Sequence, residues 1–113
     1  MSKKVSKIQQ LANTKTTYYT VPAGKKTSWL MTWVCNTSNS GANVSIYYYD
    51  ATNAVEVPIF NAFTINSKTY LDIGGQYNEF VQMYEGDEIR AFCTNSSTAI
   101  FSLTEESDII KGG

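Results

Sequence analysis

A chain of 113 residues with 42 % hydrophobic content is long enough for one domain, burying roughly two-thirds of its unfolded surface. Only 17 % of the residues are charged, the net charge is −1 and histidine is absent. That argues against nucleic acid as a partner and removes the commonest catalytic base and zinc ligand.

The charge is unevenly spread. Six of the nine basic residues fall in the first 26 positions, which hold no acid, and seven of the ten acids lie from Glu79 onward. A distribution of this kind steers association between copies. Threonine, serine, asparagine and eight tyrosines supply most of the remaining polarity, a composition of strands, turns and protein-contact surfaces. No apolar run follows the first lysines, so a signal peptide is not expected, and no segment is long enough to span a membrane as a helix.

Residues 1–15 do not alternate. Val5, Ile8 and Leu11 recur every three residues, a spacing that predicts a short helical or 3₁₀ stripe, marginal in isolation. The stretch reads as an extended arm, with Lys3, Lys4, Val5, Lys7, Ile8 and Leu11 as its assembly contacts. It would order only against its own domain or a neighbour, and its removal should leave the rest folded. Thr16 to Val21 predicts a first strand, turned by Pro22-Ala23-Gly24.

The stretch from Thr27 to Asn36 predicts the middle strand. Trp29, Met31, Trp33 and Cys35 fall two apart and should share its inward face. A loop of turn formers follows, Asn36 to Asn43. Val44 to Tyr49 predicts a strand with Val44, Ile46 and Tyr48 on one face and Ser45, Tyr47 and Tyr49 on the other. Val55 to Phe60 contains Pro58, which cannot donate to a ladder and so marks an edge or a bulge. Further strands are expected over Lys68 to Ile73, Phe80 to Tyr84, Glu88 to Thr94 and Thr98 to Leu103. Glu85-Gly86-Asp87 and Asn95-Ser96-Ser97 read as tight turns that would pair the last three as a meander.

About eight short strands at near-regular spacing, with no helix in the body, predict an all-β antiparallel sandwich. Both tryptophans precede Cys35, which favours a jelly-roll-like winding over an immunoglobulin-like one. The organisation expected is an arm over 1–15, a sandwich over 16–105 and a tail over 106–113. Cys35 and Cys93 sit in no CxxC pair and read as core; no disulfide between them is indicated.

The residues offer little chemistry. Adjacent acids such as Asp87/Glu88 and Glu105/Glu106 point to opposite faces of a strand and cannot share a substrate. No glycine-rich phosphate loop or calcium-loop pattern is present. The expectation is a protein that is not an enzyme and takes no cofactor or metal. The exposed tyrosines Tyr47, Tyr49 and Tyr70 form the candidate contact face, for protein or, as the alternative, for stacking on sugar rings.

Y-Y-T-V-P-A-G-K at 18–25, V-C-N-T-S at 34–38, V-S-I-Y at 44–47 and E-G-D-E-I-R-A at 85–91 stand in this order. Over residues 12–105 this succession resembles a family of small tailed-bacteriophage virion proteins. The resemblance implies a structural part of the phage particle: a capsid decoration (cement) protein or a tail or neck protein. It would be made in the host cytoplasm, self-associating as a trimer or ring and binding other virion proteins. The stretch between Asp50 and Tyr70 departs from the family pattern, and the family supplies no catalytic residues. A host-facing module binding carbohydrate or a receptor is the alternative.

Overall fold

A computed structural model describes residues 2–74, 81–95 and 97–107. All of its regular structure is strand: β1 (Ser2–Gln10), β2 (Thr16–Thr20), β3 (Lys25–Asn36), β4 (Ala42–Asp50), β5 (Val55–Ile65), β6 (Tyr70–Gly74), β7 (Val81–Tyr84), β8 (Glu88–Cys93) and β9 (Ser97–Ser107). One sheet runs β1-β9-β3-β6, with β7 beside β3, and the other runs β2-β8-β4-β5. We call these sheets A and B. Every pairing is antiparallel. Successive strands mostly alternate between the sheets, the winding of a jelly roll.

The expected inward residues meet between the layers. Val44 and Ile46 from β4, Ile89, Ala91 and Cys93 from β8, and Ala99, Phe101 and Leu103 from β9 are all buried. Trp29 joins them, its indole edge-on to Phe101 with centroids 6.3 Å apart and its Nε1–H donating to Thr32 Oγ1 at 2.7 Å. Satisfying that donor is what lets a tryptophan sit at zero exposure in an apolar layer.

The middle strand departs from simple alternation. Its register against β9 shifts between Trp29 and Met31, so Leu30 has no opposite number. The shift falls where the strand's other neighbour changes, from β7 (Trp29↔Val81) to β6 (Met31↔Gly74). A single extra residue exchanges the two faces. Thr27 and Trp29 point inward before it, and Thr32, Val34 and Asn36 point inward after it. The expected Trp29/Met31/Trp33/Cys35 row is therefore broken. Trp33 is 42 % exposed, and Met31 and Cys35 are only half-buried.

Three other expectations need correction. Ser2–Gln10 is a strand, not a helical stripe, and pairs with β9 without a register break. It orders against its own domain: Leu11 is buried and Val5 packs on the core. Removing residues 1–15 would thus bare β9 and open the core. Nor do β7, β8 and β9 form a meander. β7 pairs with β3, β8 with β2 and β4, and β9 with β1 and β3, so both turns cross between layers. Finally, β9 continues through Glu106 and Ser107, which belong to the strand and not to a tail. Residues 108–113 lie outside the described residues, as does Phe80.

Pro58 stands opposite Tyr47 on β5, an edge strand, next to the register shift between Ile46 and Tyr47. This fits its missing donor.

Candidate functional site

The turn motifs come together at one end of the sandwich. Gly86 N donates to Val21 O and Val21 N to Asp87 O, at 3.1 and 2.9 Å. Gly24 N donates to Glu85 Oε1 at 2.9 Å. Both glycines have positive φ, 75° at Gly24 and 88° at Gly86, where a side chain would be strained. A Cβ on Gly86 would also meet Ala51 Cβ at 3.2 Å.

Asp87, 2 % exposed, holds this end together. Its Oδ2 accepts from Tyr48 Oη at 2.7 Å and Tyr84 N at 2.9 Å, and its Oδ1 accepts from Ala51 N at 2.9 Å. Burial, and then the bond to Asp87, pushes the Tyr48 phenol well above its ordinary range. Asp50 caps its own turn through Thr52 N, Asn53 N and Asn53 Nδ2. The carboxylates of Glu85, Asp87 and Asp50 thus all accept hydrogen bonds from the protein's own turns. Among the described residues no three acids or cysteines cluster as a metal site. The adjacent acids diverge: Asp87 points in while Glu88 points out, and Glu105 accepts from Tyr19 Oη at 2.6 Å while Glu106 approaches Lys26 on the other side.

The tyrosines expected to form one contact face are divided between the two sheets. Tyr47 and Tyr49 lie on the outer face of sheet B, within a connected network. Lys15 Nζ sits 4.1 Å from the Tyr47 ring centroid, and the Arg90 guanidinium 3.9 Å from that of Tyr49. Tyr47 also stacks on Phe92 at 6.3 Å. Lys15 reaches Glu56 at 2.6 Å, Arg90 reaches Glu56 at 2.9 Å and Glu88 at 2.7 Å, and Thr17 Oγ1 donates to Glu88 at 2.9 Å. Lys15 first and then Arg90 hold the Glu56 carboxyl below its usual range. Burial raises Glu88, but the bonds from Arg90 and Thr17 outweigh it and leave that carboxyl low as well. Cations already lie over both tyrosine rings, so those faces are not open for sugar stacking.

Tyr70 lies on the outer face of sheet A, 5.1 Å from the Trp33 ring. Trp33 stands opposite Ile100 on β9, and Ile100 opposite Ile8 on β1. The four side chains are exposed by 66 % (Ile8), 40 % (Ile100), 42 % (Trp33) and 58 % (Tyr70). They form an apolar belt across β1, β9, β3 and β6, about 15 Å wide at the usual strand spacing. Ser6, Gln10, Thr98 and Ser102 border it, and Asp72 closes the row on β6. An open apolar row of this kind is the candidate contact surface. Of the expected arm residues, Ile8 belongs to the belt, Val5 and Leu11 to the core, and Lys3 and Lys4 are exposed. Trp33 is missed by sequence parity because the bulge at Leu30 is invisible in a run with apolar residues on both parities, whereas Ile100 lies on the outward parity of β9 and only its neighbours across the ladder make it part of a row. A smaller apolar set, Val57 and Phe63, lies along the β5 edge.

The chain matches no family model, and no curated protein matches it. Its fold recurs in solved structures. A chain of Bacillus endospore appendages, described as a novel family of disulfide-linked pili, aligns with a TM-score of 0.52 at 14 % identity, over 93 % of this chain and 84 % of that one. The VP2 subviral particle of infectious bursal disease virus aligns with a TM-score of 0.55 at 10 % identity, over 93 % of this chain and 32 % of that one. The T13 particle of the same virus gives 0.53 at 10 % identity, over 92 % and 30 %. The chain spans most of the pilus chain and about a third of the viral ones. At these identities the likeness is one of fold: a β-sandwich of the type found in viral particles and pili.

Proposed function

We propose that the chain is a non-enzymatic structural protein of a tailed-bacteriophage particle. Many copies would associate with one another and pack on the capsid as decoration, or on the tail. The observation that carries this reading is the belt of Ile8, Ile100, Trp33 and Tyr70. It is an apolar surface left open on sheet A, whereas on the outer face of sheet B Tyr47 and Tyr49 lie under Lys15 and Arg90. A domain of this size that leaves such a row open gains by covering it with protein. The shared fold of viral-particle and pilus chains is consistent with this role, as are the motif resemblance and the engagement of the turn carboxylates in holding the fold.

Gold-tagged antibody against the chain, applied to intact phage particles, tests the reading. Regularly spaced label on the capsid or tail is the expected result. Recovery of the protein only outside particles would contradict it.

A further inference from the structure

We propose that β1 is an exchangeable strand: Ser2–Gln10 of one copy pairs with β9 of a second copy, in the register it holds here. This rests on the multi-copy reading above and names the element through which the copies join.

The strand is attached in a way that permits exchange. Among the described residues its one ladder partner is β9. No residue from Lys3 to Gln10 is fully buried, so most of what holds the strand is the ladder itself. Leu11 and Ala12 are fastened next to β9 and β8, through Leu11 N to Ser97 O and Cys93 N to Ala12 O, each at 2.9 Å. On the far side Lys15 is fastened to Glu56. Asn13 and Thr14, both exposed, are the joint between these anchors.

The chemistry of β1 fits β9 and not another β1. Lys3 stands opposite Glu105 and Ser2 opposite Glu106, so the basic end of one strand meets the acidic end of the other. Two β1 strands would instead bring lysines near lysines. The vacated place is demanding: Ala99, Phe101 and Leu103 point into the core from β9, and a bare β9 would be an eleven-residue open edge. Any copy's β1 satisfies it equally.

Closed and exchanged forms share every β1–β9 contact, so concentration and the joint decide between them. A joint of two residues is short, and short joints favour exchange over closure within one copy. Inside a crowded particle, exchange would tie successive subunits together without any new interface chemistry.

The test uses the full chain in a Cys35→Ser, Cys93→Ala background carrying Ser6→Cys and Ser102→Cys. These two positions face each other directly across β1 and β9, within reach of a disulfide. The protein is oxidised while assembled, as judged by sedimentation, then denatured and run on a non-reducing gel. A ladder of covalent multimers is expected, absent from either single-cysteine variant and lost on inserting Gly-Ser-Gly-Ser between Asn13 and Thr14. Assembled protein that yields only monomer-mass product overturns exchange and leaves self-association standing. Protein that stays monomeric at every concentration overturns both.

Discussion

Both outer faces of the sandwich carry aromatic rings, yet they treat them in opposite ways. On sheet B, Tyr47, Tyr49 and Phe92 are half-buried beneath Lys15 and Arg90, whose charges are met by Glu56 and Glu88. On sheet A, Trp33 and Tyr70 touch each other and the belt continues over Ile100 and Ile8, with no cation over these rings among the described residues. A polar network that satisfies its own members has little to offer a partner, because docking would have to break it. An uncovered apolar row has only water to lose. On the proposed reading, sheet B serves stability and sheet A contact, and each half of that division can be broken separately.

The largest effect should come from beneath both faces. Asp87→Ala strands three donors, Tyr48 Oη, Tyr84 N and Ala51 N, at a buried end. A loss of about 3 kcal/mol or more is expected in urea unfolding; a loss under about 1 kcal/mol would mean that the turns stand without it. On sheet B, Arg90→Ala removes the cover of Tyr49 and leaves Glu56 and Glu88 with less compensation. A cost of about 1–2 kcal/mol is expected with self-association unchanged, and a variant that loses association instead would reverse the assignment of faces.

The pH dependence is smaller and follows from the same network. The Glu56 and Glu88 carboxyls are held below their usual range. Their contribution is therefore present above the ordinary carboxylate pKa of about 4.3 and is lost as pH falls through the lower folded values. Urea midpoints should hold level from about pH 7 to about pH 5 and then decline. Arg90→Ala should flatten part of that decline; an identical decline in both proteins would remove Arg90 as its cause.

Much of the sandwich was legible because β4, β8 and β9 alternate cleanly. Val44, Ile46, Ile89, Ala91, Phe101 and Leu103 lie where parity puts them. Pro58 marked its edge for the same local reason, a missing donor. What could not be read depends on neighbours distant in sequence. Leu30 bulges where β3 exchanges β7 for β6, and the run from Trp29 to Cys35 is apolar on both parities, so nothing local signals the flip. β1 reads as an arm because an edge strand held mainly by one ladder needs few apolar residues on either face. The turns Glu85-Gly86-Asp87 and Asn95-Ser96-Ser97 look like hairpins, but their flanking strands pair across the two sheets. The cations over Tyr47 and Tyr49 come from positions 32 and 41 residues away, and no spacing rule reports them.

The division of labour is tested most directly by sedimentation of three full-length proteins at matched concentrations: the unaltered chain, Trp33→Lys and Tyr47→Ala. If sheet A is the contact surface, Trp33→Lys weakens self-association at least about tenfold, roughly 1.4 kcal/mol, while its unfolding free energy stays within about 0.5 kcal/mol. Tyr47→Ala should do the reverse, losing stability while associating normally. Undiminished association of Trp33→Lys, with association lost in Tyr47→Ala, would contradict it.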